Sequence, residues 1–570
     1  MPTPQARTAT GTPGATGAEP VTDSDRGSGT TGPPSSGARS RTDLPVLATS
    51  GGLLVAFVAA ALIAPTTTGN AVDAAFTFAA RWFGPFWQVL LLATFGVAIW
   101  LGFSRYGKVR LGGAGTRPEY SRFQWIAMIM STLLAGGGVF FAAGEPVQHY
   151  IDTPPFYDGV EGGTQQAADA ALAQSFAHWG FLAWAVLGTL ASIVMIRAQE
   201  RGMPLRPRTL LYPFLGERVR HSRLGAAVDI VCVIAVVAGT VGPIGFLGLQ
   251  VSYGLSEVFG ISGGYPVQLA VIVLLTVVAV ASVASGLDRG IQFFSRANIW
   301  LAAALMAVIL VLGSLGFVID SFLGGLGQYA RDFVPLALNR GDHAWLGSWT
   351  VFFFGWFLGY GPLMSIFVAR ISKGRTLRDL VVSTAIVPPL ATMFWFTVFG
   401  GTGIFLEQQN PGALSEPLKA VGMDAAVISM AQQLPMGAVV AVALLLLTIT
   451  FVVTTTDSMS YAISAAGTRF GEPAPAVRAF WGLLMGAAAA VLILVGDGGI
   501  TALQSFIVVT AVPVGFIMLP TLWTAPRMAK EMAREQGIIP AEPTAPTPAP
   551  KTEATADLEP EPSAPGPRER

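Results

Sequence analysis

The feature that most constrains the fold is a series of about twelve apolar runs, each close to the roughly 20 residues that a helix needs to cross a bilayer. The runs lie at 45–64, 87–103, 124–143, 176–196, 227–253, 266–285, 298–318, 349–369, 380–405, 437–462, 478–495 and 502–523. Hydrophobic residues make up 52% of the chain and charged residues only 12%, which is far from the composition of a soluble domain. The sequence therefore predicts an all-α membrane protein with about twelve transmembrane helices.

The two ends of the chain differ in composition from this membrane domain, which is predicted to span residues 45–525. Residues 1–44 are rich in Gly, Pro, Ser and Thr and have almost no large apolar residue, so we expect a disordered N-terminal tail. Residues 526–570 begin with a short basic stretch and then become rich in Pro, Ala and Glu. This composition predicts a C-terminal tail that is mostly disordered.

The loops between the runs alternate in charge, and this alternation predicts the orientation of the protein. The loops after the second, fourth and eighth runs carry clusters of basic residues that include Arg105, Arg201 and Arg370. The loop after the third run holds acidic residues, among them Asp152 and Asp158, and no Lys or Arg. Because cytoplasmic loops carry the excess of basic residues, we expect a multi-pass protein of the cell membrane with both termini in the cytoplasm.

Several functional classes are disfavoured by residues that the chain lacks. A net charge of +0 argues against a nucleic-acid partner, and a single cysteine, Cys232, rules out an intrachain disulfide. The four histidines are scattered over different loops and runs without a metal-binding spacing, and no glycine-rich phosphate loop is present. The sequence therefore indicates neither a membrane enzyme nor an ATP-driven transporter.

Two of the runs contain clusters of small residues at matching places. The third run contains Ala135–Gly138, and the eighth contains Gly359-Tyr360-Gly361-Pro362, five runs later. Gly and Pro interruptions at corresponding places in two halves are typical of inverted-repeat transporters with a binding site near the midplane. We therefore predict a helix break in each of the two runs and a five-plus-five inverted-repeat fold. Spans 3–7 and 8–12 would be the repeats, preceded by two extra N-terminal helices.

The eighth run is also rich in aromatic residues. Trp356 and Tyr360 are four residues apart and so share a helix face with Phe353. Ring faces attract cations, and a helix break allows backbone atoms to line a cavity. The stretch Trp349–Arg375 therefore indicates a pocket for a cation with a largely apolar surface.

Ordered motifs in four of the runs resemble those of the betaine/choline/carnitine transporters. The motifs are Gly136-Gly137-Gly138 with Glu145-Pro146, His178-Trp179 with Trp184, Trp349-Thr350-Val351-Phe352 with Ala369-Arg370-Ile371-Ser372-Lys373-Gly374-Arg375, and Thr454-Thr455-Thr456-Asp457-Ser458. The resemblance covers residues from near 45 to near 525, which is the whole predicted membrane domain. It implies a secondary active transporter whose relatives enclose a trimethylammonium group in a box of aromatic rings.

The resemblance implies a set of substrate-binding residues by position. The box consists of Trp179, Trp184, Trp356, Phe357 and Tyr360. Phe357 and Tyr360 stand where the family usually has tryptophan, so the resemblance specifies a class of substrate rather than one compound. The carboxylate of a zwitterion also needs donors, and no Arg or Lys lies mid-span in the third or eighth run. We expect backbone N–H groups near Gly136 and Gly137 to bind it, because glycine permits a close approach.

The resemblance also implies a sodium site and a gate. The sodium ligands are carried over as Leu134, Ala135, Phe451, Thr454 and Thr455. Hydroxyls and backbone carbonyls freed by a helix break are the hard oxygen ligands that such an ion takes. Asp457 follows in an otherwise apolar helix, where a carboxylate needs a partner or water. We expect it near a cytoplasmic gate, paired with Arg370 or Arg375.

These observations together predict a symporter that imports a quaternary-ammonium or sulfonium zwitterion with sodium by alternating access. Glycine betaine-like solutes, choline, carnitine and dimethylsulfoniopropionate all fit this class. No cofactor is expected beyond Na⁺ as the coupling ion, and the resemblance implies a homotrimer in the lipid bilayer. Two alternatives stay open: a sodium-independent exchanger of the same fold, and a membrane sensor that does not transport.

Overall fold

The computed structural model describes residues 41–134, 137–261, 263–285, 288–470, 472–496 and 498–540. This part of the chain is almost entirely helical, and its two short strands, β1 (Arg41–Thr42) and β2 (Thr468–Phe470), pair antiparallel. Most of each predicted disordered tail, at 1–40 and 541–570, lies outside the described residues. The last helix continues to Glu535, past the predicted end of the membrane domain.

Among the described residues, the first half of the chain forms twelve α-helices, and the chain bends sharply between the last two of them. In chain order they are α1 (Leu44–Ile63), α2 (Pro65–Phe103), α3 (Arg122–Leu134), α4 (Gly137–Ile151), α5 (Gln165–Trp179), α6 (Phe181–Gly188), α7 (Leu190–Glu200), α8 (Tyr212–Leu215), α9 (Arg223–Phe259), α10 (Tyr265–Ser285), α11 (Asp288–Leu312) and α12 (Leu315–Ala337). Short 3₁₀ turns lie at Arg105–Lys108, Pro155–Tyr157, Pro207–Leu211 and Gly216–Arg220.

The helices of the second half include two stretches of π-helix, at Gly347–Val351 and Thr397–Gly401. The α-helices are α13 (His343–Leu346), α14 (Phe352–Ile371), α15 (Leu377–Ala385), α16 (Val387–Phe396), α17 (Thr402–Gln409), α18 (Ser415–Ala420), α19 (Ala426–Gln432), α20 (Gly437–Ala466), α21 (Pro475–Val495), α22 (Thr501–Met518) and α23 (Thr521–Glu535). A 3₁₀ turn at Met423–Ala425 precedes α19.

The number of membrane spans was predicted to be about twelve. Within the described residues, ten helical segments are long and apolar enough to cross a membrane, and an eleventh is added if α11 and α12, bent by 105°, form one span. The third predicted span falls on α3 and α4, on either side of residues 135–136, which lie outside the description. The all-α membrane class is therefore confirmed, whereas the number twelve and the inverted repeats stay predictions.

Local sequence explains where several of these helices begin and end. α9 begins after Ser222, whose hydroxyl accepts a hydrogen bond from the Gly225 N–H, and it ends at Gly260 in the left-handed conformation with φ +67°. α15 begins with a reciprocal capping box between Thr376 and Asp379. These caps satisfy backbone groups that no intrahelical partner can reach.

The helices at the centre of the bundle are those most completely covered by others. The segment from α5 to α7, α9 and the span that contains α14 are buried along most of their length, whereas α1 and α10 expose most of theirs. The exposed faces carry large apolar side chains such as Leu53, Ile63 and Leu274. Lipid solvates such faces, so they fit a protein whose outer helices lie in a bilayer. The buried helices surround the region that holds the cavity described below.

The predicted helix break in the eighth run is wrong, because α14 continues through Gly359, Gly361 and Pro362. The small residues serve packing instead. A Cβ on Gly361 would lie 3.0 Å from Met518 Cε and 3.2 Å from the Val186 carbonyl oxygen. Close approach of this kind is the usual role of glycine between membrane helices. Pro362 removes one backbone hydrogen bond, and packing against α6, α9 and α22 offsets that loss.

A buried network of charged side chains ties the start of α1 to α9 and to the end of α20. Asp229 accepts a hydrogen bond from Arg208 Nε at 2.6 Å and forms an ion pair with Arg206 at 2.7 Å. Arg206 also donates to Asp43 at 3.0 Å. Burial raises the pKa of Asp43, but hydrogen bonds from Arg469 and Arg206 lower it by more, so its pKa lies below the ordinary value. Charges this deeply buried need all of their partners.

Replacing Asp229 by Ala is expected to destabilise the protein by about 3–5 kcal/mol, because Arg206 and Arg208 would stay buried without this partner. The measurement is thermal unfolding of the purified protein in detergent, in which the melting temperature of Asp229→Ala should fall clearly below that of the wild type. Glu531→Ala removes an exposed pair with Arg527 and is the matched control, which should melt with the wild type. Equal melting temperatures for the two variants would contradict the role given to the network.

Candidate substrate-binding cavity

A cavity of about 490 Å³ lies between α3, α4, α5, α9, α11, α14, α16 and α20. Its lining residues are Ala127, Met130, Gly137, Val139, Trp179, Pro243, Asn298, Ile299, Ala302, Ala303, Met306, Trp356, Phe357, Tyr360, Ala391, Phe394, Trp395, Phe451, Thr454, Thr455, Ser458 and Met459. None of these lining residues is charged. The volume suits a small molecule, and a ligand inside meets rings, methyl groups and a few hydroxyls rather than a counter-charge.

Four of the five predicted box residues line this cavity: Trp179 from α5, and Trp356, Phe357 and Tyr360 from α14. The ring of Trp179 meets Phe357 edge to face, with centroids 5.4 Å apart and an angle of 89°. It meets Trp356 at 6.0 Å and 76°. Such arrangements are favourable between aromatic rings and leave ring faces free for a third partner. The structure therefore brings the predicted rings of two separate helices into one wall.

The polar atoms of these rings each have a partner outside the cavity wall. The Trp356 Nε1–H donates to the Gly239 carbonyl oxygen at 3.0 Å, and the Tyr360 hydroxyl lies 3.0 Å from the Thr240 hydroxyl oxygen. The Trp179 Nε1–H donates to a carboxylate oxygen of Glu145 at 2.7 Å. Because a buried N–H or O–H needs a partner, these bonds hold each ring in one orientation.

Gly137, the first residue of α4, leaves room for the two indole rings. A Cβ at this position would lie 2.4 Å from Trp356 Cη2 and 2.8 Å from Trp179 Cη2. Both distances are shorter than any normal carbon contact, so only glycine fits without moving a ring. The prediction that a glycine of the third run lies at the site therefore agrees with the geometry, and the reason includes ring packing as well as backbone approach.

Trp184, the fifth predicted box residue, is buried on α6 but does not line the cavity. A non-helical glycine ends α5 directly after Trp179, so Trp184 on α6 does not continue the helix face of Trp179. Trp395 and Phe394 of α16 line the cavity instead, and the Trp395 Nε1–H donates to the Gly138 carbonyl oxygen at 2.9 Å. Sequence reasoning missed this pair, although the aromatic density of the ninth run was a signal for it.

Three of the predicted sodium ligands, Phe451, Thr454 and Thr455, also line the cavity from α20. The Thr454 hydroxyl donates to the Thr450 carbonyl oxygen at 2.9 Å and accepts from Asn298 Nδ2 at 3.1 Å. The Thr455 hydroxyl oxygen is buried, and the described part of the chain offers it no hydrogen-bond partner. A buried hydroxyl in this state has lone pairs available to a cation or a substrate.

The remaining predicted ligands lie where the description of the third span is interrupted. Leu134 is the last residue of α3, and Gly137 is the first residue of α4. Ala135, predicted as a sodium ligand, and Gly136, predicted as a carboxylate donor, lie outside the described residues. Their roles and that of the Leu134 carbonyl therefore stay predictions.

The predicted gate residue Asp457 is buried on α20 and forms an ion pair with Arg478 of α21 at 3.3 Å. Sequence reasoning had named Arg370 or Arg375 as the partner. Arg375 donates to the Tyr120 carbonyl oxygen, and Arg370 is exposed at the end of α14. Arg478 lies in the first turn of α21, which follows α20 after a short connection. The gate itself stays a prediction.

The chain is similar to known proteins along most of its length. Residues 45–534 match the family model described as "BCCT, betaine/carnitine/choline family transporter". The matched segment contains every described residue that lines the cavity. It also extends to the end of α23.

Three relatives illustrate the range of similarity. The chain is 48% identical over 508 residues to "Glycine betaine transporter 2" of Vibrio parahaemolyticus, an alignment that covers 89% of this chain and 94% of the relative. It is 32% identical to "Glycine betaine transporter OpuD" of Bacillus subtilis, covering 82% and 91% of the two chains. It is 31% identical to the "Ectoine/hydroxyectoine transporter" of Virgibacillus pantothenticus, covering 81% and 92%.

Replacing Gly137 by Ala is expected to push Trp179 and Trp356 apart and weaken ligand binding by about fivefold or more, since overpacking a tight contact typically costs about 1–3 kcal/mol. The measurement is the dissociation constant of glycine betaine on purified protein. Gly359→Ala is the matched control, because a Cβ there would meet nothing closer than 3.7 Å. An unchanged dissociation constant in Gly137→Ala would contradict the geometry of the ring wall.

Proposed function

The chain belongs to the betaine/carnitine/choline family of transporters, and from that membership we propose that it imports a quaternary-ammonium or sulfonium zwitterion, with glycine betaine as the first candidate. The observation that carries this proposal is the cavity lined by Trp179, Trp356, Phe357 and Tyr360 without a charged side chain. Two of the compared relatives carry glycine betaine in their names, and one of them is 48% identical to this chain.

The chemistry of the substrate matches such a wall. A trimethylammonium or dimethylsulfonium group has no N–H and cannot be hydrogen-bonded, so only weakly polar surfaces can replace its hydration shell. A ring face contributes on the order of 0.5–2 kcal/mol to binding a desolvated cation, and several faces act together. A substrate with a net negative charge would be favoured by Arg or Lys in the wall, and none of the lining residues is charged. The lining residues therefore select for onium compounds over anions.

The substrate carboxylate is assigned to backbone N–H groups at the start of α4. Gly137 borders the cavity and allows the backbone to approach a ligand closely. This assignment places the two ends of a zwitterion on different surfaces, with the onium group on the rings.

The coupling ion is proposed to be sodium, bound by Thr454 and Thr455 with backbone carbonyls of the third span. The Thr455 hydroxyl has no hydrogen-bond partner among the described residues, which supports a ligand there. Thr454 uses its proton for the Thr450 carbonyl and one lone pair for Asn298, which leaves the second lone pair. Import would proceed by alternating access, with Asp457 and Arg478 near the cytoplasmic gate.

The membrane arrangement completes the proposal. Both termini are placed in the cytoplasm by the distribution of Arg and Lys among the loops. The protein is placed in the cell membrane as a homotrimer, as the family resemblance implies. A sodium-independent exchanger is the second candidate, because Asn298 already engages Thr454 as a fixed polar side chain.

Uptake into proteoliposomes tests the substrate class. Radiolabelled glycine betaine should accumulate when a sodium gradient is directed inward, and accumulation should stop when potassium replaces sodium. Choline, carnitine, dimethylsulfoniopropionate and ectoine compete in the same assay and rank the substrates. Uptake without any sodium dependence would favour the exchanger, and failure to take up any onium compound would overturn the proposed function.

Replacing Thr455 by Val is expected to raise the sodium concentration for half-maximal uptake about tenfold, because an oxygen ligand becomes a methyl group of the same shape. The measurement is the sodium dependence of uptake at fixed glycine betaine. Thr456→Val is the matched control, since the Thr456 hydroxyl donates to the Val452 carbonyl of its own helix at 2.8 Å. An identical sodium dependence in Thr455→Val and Thr456→Val would argue against this sodium site.

A further inference from the structure

A cluster of buried polar side chains lies directly behind the ring of Trp179. Glu145 and His149 are four residues apart on α4, and His178 precedes Trp179 on α5. These three side chains are at most 1% exposed, and one ligand atom of each lies within 4.8 Å of the others. The histidines that looked scattered in the sequence are therefore partly assembled by the fold.

A chain of hydrogen bonds runs from this cluster to the cavity. Glu145 Oε2 accepts from the Trp179 Nε1–H at 2.7 Å, and Glu145 Oε1 lies 2.6 Å from His178 Nδ1. On its other side, His178 Nε2 lies 3.0 Å from the Thr350 hydroxyl oxygen and 2.9 Å from Gln174 Nε2. The chain thus joins the start of the eighth span to a ring of the cavity wall through one carboxyl group.

From this geometry we propose that Glu145 is a positioning residue for substrate binding, which acts by holding the indole of Trp179 through its N–H. His178 in turn holds the carboxyl group, and Thr350 and Gln174 hold the imidazole. The proposal rests on the proposed function, because it assigns to Trp179 a face of the onium site. Glu145 itself does not line the cavity, so its influence on the substrate passes through the ring.

The backbone at Trp179 explains why the ring needs such a holder. α5 ends at Trp179, and Gly180 separates it from α6 with φ −96° and ψ −137°. A residue at a helix end lacks the rigid packing that a continuous helix gives its side chains. Contacts with Phe353 at 5.1 Å, Phe357 at 5.4 Å and Phe396 at 4.9 Å surround the ring, but none of these phenylalanine rings offers an acceptor to its N–H. The hydrogen bond from the Trp179 N–H to Glu145 selects one orientation of the indole ring among those that fit the space.

Hydrogen bonding accounts for the cluster better than a bound metal does. A tetrahedral zinc ion with ligands at about 2.0–2.1 Å would separate its ligand atoms by well over 3 Å. Glu145 Oε1 and His178 Nδ1 are 2.6 Å apart, which is the length of a short hydrogen bond. His149 Nε2 lies farther away, 3.6 Å from Glu145 Oε1, and its ring packs against Trp349. A hydrogen bond between Glu145 and His178 therefore accounts for the short distance between these two side chains.

Substitutions at Glu145 separate positioning from general structure. Glu145→Gln keeps an oxygen that can accept the indole N–H, whereas Glu145→Leu removes both acceptors. The readouts are the dissociation constant of glycine betaine, the maximal transport rate, and the preference for glycine betaine over 3,3-dimethylbutanoate. In that isostere an uncharged tert-butyl group replaces the trimethylammonium group, so the preference measures the contribution of the ring faces.

Glu145→Leu is expected to raise the dissociation constant of glycine betaine about tenfold and to reduce the preference for glycine betaine over 3,3-dimethylbutanoate. The maximal transport rate should change less. Glu145→Gln should stay within about threefold of the wild type, since one acceptor is retained. Glu407→Gln is the matched control: this buried carboxylate accepts from the N–H groups of Gly412 and Leu414, away from the cavity. It should leave the preference unchanged.

A double-mutant cycle with Trp179→Phe gives the sharpest test, because phenylalanine has no N–H for Glu145 to hold. In the Trp179→Phe background, Glu145→Leu should cause no further loss of binding or of preference. An equal loss in both backgrounds would overturn the positioning role. If Glu145→Leu does not yield folded protein, the same cycle is measured with Glu145→Met, which is close to glutamate in length and has no acceptor oxygen for the Trp179 N–H.

The two proposals fail in different ways. Wild-type protein that binds no onium compound would overturn the proposed function. Wild-type protein that binds glycine betaine, with Glu145→Leu binding it equally well, would overturn only the positioning role of Glu145.

Discussion

A buried indole N–H without an acceptor is costly, and each of the three described tryptophans that line the cavity bonds its N–H to a neighbouring helix. Trp179 bonds to Glu145 of α4, Trp356 to the Gly239 carbonyl of α9, and Trp395 to the Gly138 carbonyl of α4. Each bond joins two different helices at the wall of the cavity. The same interactions that satisfy buried polar atoms therefore also fix the positions of the rings around the ligand.

The second property of the cavity is that its wall carries aromatic surface without formal charge. In the proposed binding mode, ring faces stabilise the cationic end of a zwitterion, and backbone N–H groups near Gly137 bind its anionic end. This division does not depend on one particular onium group. The geometry therefore supports a class of substrate rather than one compound.

Much of the site could be predicted from the sequence because its signals are local. The shared helix face of Trp356 and Tyr360 follows from their spacing, and the close backbone approach at Gly137 follows from its residue type. Thr454 and Thr455 follow from the family resemblance. All five of these residues line the cavity. The class of fold was equally accessible, since apolar runs of membrane-spanning length need no tertiary information.

The rest depends on tertiary packing, which a single sequence does not reveal. Gly359 to Pro362 suggested a helix break, but packing against neighbouring helices keeps α14 continuous. Trp184 lies away from the cavity because α5 ends at Trp179. The pairing of Asp457 with Arg478 and the assembly of Glu145 with two histidines depend on which helices meet. For Asp457 and Glu145, the residues stood out in the sequence, but their partners could not be identified from it.

The most direct test of the central claim is an experimental structure of the full chain in lipid nanodiscs at saturating glycine betaine. The account predicts density for the trimethylammonium group against the faces of Trp179, Trp356 and Phe357, with the carboxylate toward the start of α4. Density for the ligand at another place, or a trimethylammonium group held by a charged side chain, would contradict it.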